Sequence, residues 1–399
     1  MQLEPAAGTA LFFVDDEAVL FHEAPQKLFQ LNAMAAVVWC LIEDGMCERG
    51  IAARLEAIYH LDAASASAYV RQAVMLLQGL GVLRGSEKPF DPGLETKSAP
   101  VLASCDEYIA ERCYRLLGSV LRLRFTDVAQ VCRIEPVLAH LATDADGKAT
   151  CTVDIIRREG GRIAVVRDSR WGVEAGDLDE LAPLVKAAVW QASVCAHSFF
   201  LDIHAGVTGD GRHAFLFPAA AGSGKSTLTA ALVHAGFEYF SDEVALLHEP
   251  DFTVEPVPLA LCVKDTGVAV LSRFFPQLTA LREHRRGDGK RVRYLPPPAQ
   301  AVAPPATRRP VGAMFFPSYE SDRSTQLAAI TTMEALRALT QECLIVDSRL
   351  TRDKVAALLD WLGHTPRYRL VVSDIDQAVS LVAGVASDLR SAPQQPIPI

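Results

Sequence analysis

Lys225 and Ser226, placed directly after Gly222-Ser223-Gly224, are the residues of this chain best suited to chemistry on a phosphate. Glycines at 222 and 224 let backbone N–H groups turn onto a polyphosphate, and the start of a helix adds positive potential there. In this pattern Lys225 reaches the terminal phosphates and Ser226 can hold Mg²⁺. The expected nucleotide-binding set is Ala221, Gly222, Ser223, Gly224, Lys225, Ser226 and Thr227. Ala219 stands where such loops usually carry their first glycine, so the loop entry should keep a negative φ or carry a little strain. Downstream, Asp242 and Glu243 follow Ser241 at the end of a short apolar segment. Two adjacent carboxylates in that position are costly unless a cation or a proton-transfer role compensates them. One of the pair would hold Mg²⁺ while the other takes the proton of an attacking hydroxyl, and the residue types leave open which does which.

The elements around these residues follow from pattern. Ala214 to Phe217 reads as a buried strand, the next residues as a small-residue loop, and Ser226 to Ala235 as a helix closed by Gly236. Leu201 to Val207, with His204 inside it, precedes the loop by one hairpin whose turn is Thr208-Gly209-Asp210-Gly211. Taken alone, His204 reads as a structural residue rather than a chemical one. Further on, Arg282, Arg285, Arg286, Lys290, Arg291 and Arg293 surround Gly287-Asp288-Gly289, a basic loop that closes over triphosphate, holds an acidic substrate, or merely serves solubility. Alternation puts Arg291 and Arg293 on one face of a short strand, which makes them the preferred phosphate contacts. Lys264 reads equally as a phosphate contact or a solvent-facing charge.

The His204-x-Gly206 segment, the hairpin, the Gly-x-Gly-Lys-Ser loop, the helix ending in Gly236 and the acidic pair resemble the catalytic core of the HPr kinase/phosphorylase family. The runs Ser223-Gly224-Lys225-Ser226-Thr227-Leu228 and Ser241-Asp242-Glu243-Val244-Ala245-Leu246-Leu247 are similar to HPr-kinase-related proteins found with peptide-modifying systems. The resemblance implies transfer of the ATP γ-phosphate to a hydroxyl side chain, with ATP and Mg²⁺ as cofactors. On the leading reading Asp242 is the general base, Ser226 and Glu243 hold Mg²⁺, and His204 orients the acceptor or the transferring phosphoryl group. Family members form rings, which implies self-association.

At the N-terminus, two apolar runs around Asp15-Asp16-Glu17 read as a hairpin, Lys27 to Gln30 as a third strand, and Asn32 as the cap of a helix carrying Trp39. Two further helices, around Gly50 to Tyr59 and Ala64 to Leu80, complete the unit. Its element order, with Leu31-Asn32, Trp39, Asp44-Gly45, Tyr59 and Leu80-Gly81-Val82-Leu83, resembles the PqqD-like domain, a small winged-helix module that recognises leader peptides. In that family a leader segment adds as a strand to the sheet edge, here expected from Phe12 to Phe21 and across to the helix after Tyr69. A generic dimerisation or nucleic-acid module is the alternative, and no Lys/Arg concentration favours DNA.

The expected organisation is therefore an α+β winged-helix-like module (1–86), a linker rich in proline and charge (87–100), an α+β extension (101–200), an α/β P-loop kinase core similar to the HPr kinase C-terminal domain (201–390) and a disordered tail (391–399). The linker would hold a bound peptide near the kinase loop at an effective concentration of about millimolar. Within 399 residues, 48 acidic against 39 basic side chains argue against a general nucleic-acid scaffold. No apolar run approaches a membrane span and Met1 to Pro5 lack a basic signal-peptide start, so a cytoplasmic location without membrane attachment is expected. Nine scattered cysteines without a Cys-x-x-Cys pair suit reduced thiols. The leading expectation is a kinase for a Ser or Thr of a ribosomally made peptide. Its rivals are a regulatory kinase of a folded carrier protein and a nucleotide-switched peptide chaperone.

Overall fold

A computed structural model describes residues 3–84, 107–144, 149–169, 171–220, 222–346 and 348–391. The expected linker (87–100) and all but the first residue of the expected tail (391–399) lie outside them, as does Ala221. The chain divides into two compact units, 1–96 with 331–336 and 348–364, and 97–330 with 337–347 and 365–399.

The first unit opens with an antiparallel sheet of β1 (Thr9–Val14), β2 (Glu17–His22) and β3 (Lys27–Leu31), in that spatial order. It is followed by α1 (Ala33–Glu43), α2 (Glu48–Tyr59) and α3 (Ala63–Gly79). Asn32 and Asp62 cap α1 and α3 by accepting the amides of Ala35 and Ser65 at 2.8 and 2.9 Å. The sheet and helices close over a core that includes Leu20, Trp39, Leu55, Val70 and Leu77, each almost fully buried.

In the second unit a five-stranded sheet comes first: β4 (Ala110–Leu116), β5 (Ser119–Phe125), then, after helix α4 (Val128–Leu138), β6 (Cys151–Arg157), β7 (Ile163–Arg167) and β8 (Trp171–Ala175). Leu117 and Gly118, both at positive φ (49° and 75°), turn the chain back between β4 and β5. Helix α5 (Leu178–Val194) packs its apolar stripe on this sheet, in a core that also takes in Phe199, Leu246, Cys262 and Tyr294.

Next come β9 (Leu201–Ile203), β10 (Ala205–Gly209), β11 (Ala214–Pro218), α6 (Lys225–His234), β12 (Glu238–Ser241), β13 (Ala245–His248), β14 (Thr253–Glu255), β15 (Leu261–Lys264) and α7 (Asp265–Leu271). The basic stretch is a hairpin of β16 (Glu283–Arg285) and β17 (Arg291–Leu295) added to β15, rather than an open loop. The chain ends with β18 (Arg309–Tyr319), β19 (Gln326–Ala329), α8 (Thr332–Glu342), β20 (Cys343–Val346), α9 (Arg352–His364), β21 (Arg367–Val372) and α10 (Ile375–Ser391). Ten of these strands form one mixed sheet, parallel where β11 meets β18 and β18 meets β21, and antiparallel elsewhere along it.

The first turn of α8 and all of α9 belong with the N-terminal unit, and residues 97–200 fall in the same unit as 201–330. Asp15, in the β1–β2 turn, accepts the Thr332 hydroxyl and the Met333 amide at 3.0 and 2.9 Å. Gln26, in the β2–β3 turn, donates to the Leu350 carbonyl and accepts the Leu350 amide at 3.0 and 2.7 Å. No helix among the described residues is long and apolar enough to cross a membrane.

Candidate functional site

Strand β11 is buried over its whole length, and the loop after it hands directly to α6. A ten-residue helix is marginal alone. Leu228 and Leu232 of α6, packed with Phe215, Phe217 and Phe315, each contribute about 1.5–3 kcal/mol by burial and fix its start. Gly222 and Gly224 adopt φ of 101° and 92°, the left-handed region that glycine enters without penalty. Ala219 is absent from the positive-φ residues, as its side chain requires. Lys225 is buried, its ammonium donates to the Ala219 carbonyl, and burial lowers its pKa.

The acidic pair reaches this loop from β12, which lies beside β10 and not beside β11. What allows the approach is Gly206 on β10: a Cβ there would lie 2.3 Å from Thr229 Oγ1 of α6. The result is a cleft of about 170 Å³ lined by His204, Gly222, Gly224, Lys225, Ser226, Thr227, Asp242, Glu243, Cys262, Val263, Lys264, Thr266, Gly267 and Arg286. Ser223 is not part of this lining. Its hydroxyl donates to the Ala220 carbonyl at 2.8 Å and holds the loop turn.

The two carboxylates differ in surroundings. Asp242 is 2% exposed, and its Oδ2 accepts the Cys262 amide at 2.9 Å while Oδ1 accepts no hydrogen bond. Burial, then the neighbouring Glu243 charge, pushes its pKa up to about 6. Glu243 accepts from the buried Lys186 ammonium at 2.6 Å. Burial alone would raise its pKa, but Lys186 outweighs that and holds it below the usual carboxylate range. The same pair keeps Lys186 charged despite burial. His204 Nδ1 lies 2.9 Å from the Glu243 backbone carbonyl, so Nδ1–H donates there and leaves Nε2 as the free ring nitrogen. Burial, then the Lys225 charge, lowers the His204 pKa.

Arg291 and Arg293 do not reach the cleft. Arg291 pairs with Glu283 at 2.7 Å, and Arg293 with Asp265 and Glu283 at 3.1 and 3.3 Å, so both serve the β15–β17–β16 sheet. The arginine that lines the cleft is Arg286, at the end of the β16 strand where the hairpin turns. Lys264 lines it too. Sequence reasoning missed Lys186. Its signal was a lysine set on the apolar stripe of α5 among Ala182, Val185 and Val189, a position where an ammonium needs a carboxylate partner.

Of the expected docking surface from Phe12 to Phe21, Val19, Leu20 and Phe21 belong to the central strand and are at most 2% exposed, whereas Phe13 on the outer strand β1 is exposed; α9 also packs on β1. Strand β3 pairs on one side only among the described residues, and Leu28 and Phe29 on it are half-buried. Tyr69, Met75 and Leu76 of α3 are exposed.

Residues 17–83 match the family model of coenzyme PQQ synthesis protein D (PqqD). The chain carries a PqqD-like domain. The matched residues comprise β2, β3, α1, α2 and α3 and end at Leu83, which bridges to Pro5. Two solved structures are similar to part of the chain. One, TbiB1 in complex with the TbiA(beta) leader peptide, is 26% identical, covers 21% of this chain and 95% of its own, and has a TM-score of 0.20. The other, a lasso peptide synthetase B1 complexed with the leader peptide, is 20% identical, covers 21% and 98%, and also has a TM-score of 0.20. No curated protein matches the chain.

Proposed function

We propose that this chain is an ATP-dependent kinase that phosphorylates a Ser or Thr hydroxyl of a ribosomally synthesised peptide, recruited as a leader segment by the PqqD-like domain. The observation that carries the kinase reading is the convergence of Gly222, Gly224, Lys225 and Ser226 with a buried, half-unpartnered Asp242 on one cleft. The residues fit a Mg²⁺-nucleotide: positive-φ glycines at a helix N-terminus suit phosphate oxygens, and a buried lysine beside an orphaned carboxylate oxygen is otherwise costly. When bound, Mg²⁺ on Ser226 and Glu243 would neutralise charge on the phosphates.

Lys225, Lys264 and Arg286 bring positive charge to the side of the cleft where phosphate oxygens would lie. Asp242 Oδ1, free of hydrogen bonds, takes the acceptor hydroxyl's proton as its oxygen bonds to the γ-phosphorus. The bond from that phosphorus to the leaving ADP oxygen breaks and ADP departs with the electron pair. Lys186 keeps Glu243 anionic, so the two neighbouring carboxylates do not compete for one proton. His204, held through Nδ1, presents Nε2 to the acceptor side.

The family match over 17–83 supports leader recognition, and the one-sided pairing of β3 supports strand addition at that edge. The test is intact-mass analysis of peptides encoded beside the gene after incubation with the full chain, Mg²⁺ and ATP, with Lys225→Ala as control. A gain of one phosphoryl mass, absent in the control, is expected. Tight peptide binding with no mass change would replace this reading by a nucleotide-switched peptide binder.

A further inference from the structure

Outside the phosphate-loop cleft, the second unit brings together two imidazoles and a carboxylate that no reading above uses. His248 ends β13 and Glu255 ends β14. The register pairs His248 with Thr253 and Glu255 with Leu246, so alternation puts both side chains on one face of the sheet, diagonally adjacent. His197 comes from the turn after α5, where its amide donates to the Val194 carbonyl at 3.1 Å. His197 Nε2 is in contact with Glu255 Oε1, and His248 Nε2 lies 3.6 Å from Glu255 Oε2. One candidate ligand atom from each residue falls within 4.8 Å of the others.

Hydrogen bonding does not explain this, because His197 Nε2 makes no hydrogen bond. Glu255 is 6% and His248 4% exposed, yet His248 Nε2 has no hydrogen-bond partner at all. A buried ring nitrogen aimed at a buried carboxylate and bonded to nothing is an unfavourable arrangement on its own. Among the described residues this is the only group of three or more such side chains with metal-ligating spacing. His197 and Glu255 also form part of the wall of a cavity of about 600 Å³, whose other walls are the end of β4 and the Leu117–Gly118 turn, residues 140–143, Pro256 and Pro258, and a segment from Val302 to Ala306. His248 stands behind that wall.

We propose that His197, His248 and Glu255 form a Zn²⁺ site whose remaining coordination position opens into this cavity. Two imidazole nitrogens and one carboxylate oxygen make a ligand set suited to zinc, with a fourth position left to water or another small ligand. Tetrahedral zinc at about 2.0–2.1 Å from its ligands needs them about 3.3 Å apart, so the widest pair closes by roughly 1.5 Å, within reach of side-chain rotation. Arg308 Nε lies 3.5 Å from Glu255 Oε2 and opposes a cation there. Its side chain is 48% exposed and can turn to solvent, leaving Glu255 to the metal.

The test uses the full chain, freed of any affinity tag and stripped with chelator, titrated with Zn²⁺ against a chromogenic competitor. Wild type should take up one equivalent per chain. Losing a ligand should cost at least what losing an outer partner does, so His197→Gln and Glu255→Gln should each weaken binding by about 10- to 100-fold or more. Glu243→Gln should leave it unchanged, which separates this site from the phosphate-loop cleft. Far-UV circular dichroism checks folding, and the nearly isosteric Glu255→Gln decides the matter if His197→Gln does not fold. No uptake by wild type, uptake that survives the folded ligand variants, or uptake lost in Glu243→Gln overturns the proposal.

Discussion

Removing the Lys186 ammonium leaves Glu243 with a charge that its half-buried site cannot solvate fully. Lys186→Met should therefore destabilise the chain by roughly 1–3 kcal/mol, less than for a wholly buried pair because Glu243 keeps some contact with water. Urea unfolding measures this, and adding Glu243→Gln should restore most of the loss, since the uncompensated charge then disappears. A second residue carries its own pH signature. Asp202 is fully buried with neither carboxylate oxygen hydrogen-bonded, and burial pushes its pKa from 3.8 up to about 7. Between those values the folded chain binds a proton that the unfolded chain has released, so this residue makes stability fall as pH rises through the window. Asp202→Asn removes that dependence. Relative to the variant, wild type should gain stability when the buffer goes from about pH 8 to about pH 5, and equal shifts in both proteins would refute the assignment.

At the scale of elements, the close crossing of β10 over α6 decides whether the acidic pair can meet the glycine loop. Gly206→Ala would set a methyl group against Thr229 Oγ1, forcing apart strand and helix at a cost of about 1–3 kcal/mol. Thr229→Ala removes the obstructing oxygen. The double variant should melt closer to wild type than Gly206→Ala alone, as differential scanning fluorimetry would read. This geometry also marks what a sequence can reveal. The β11–loop–α6 element was legible because strand, glycines and helix are contiguous and each obeys a local rule. Gly206 was visible as part of a motif, whereas the reason for it, a hydroxyl on α6, is a tertiary fact. Arg291 and Arg293 were placed correctly on one strand face, but that face meets Glu283 and not the cleft, and alternation cannot say what a face meets. Nor could periodicity divide β4 from β5, because the turn puts a leucine at positive φ. Lys186 escaped notice because its partner comes from a distant segment.

The whole molecule is built from two units, and the chain enters the first, leaves it and returns. Asp15 and Gln26, at the two turns of the N-terminal sheet, each hold backbone groups of the returning segments. A fragment ending at residue 96 lacks those partners and lacks α9 beside β1. Its β1 amides should exchange with solvent faster than in the full chain, by about 5-fold for each kcal/mol of support lost. Hydrogen exchange followed by mass spectrometry checks this, and identical protection in fragment and full chain would mean that the returning segments add nothing. The same threading sets a timetable at the ribosome. At about 5–20 residues per second, α9 leaves the exit tunnel roughly 15 to 50 seconds after residue 96. During that interval the PqqD-like domain stands exposed with its β1 flank uncovered, open to chaperones or to a neighbouring nascent chain.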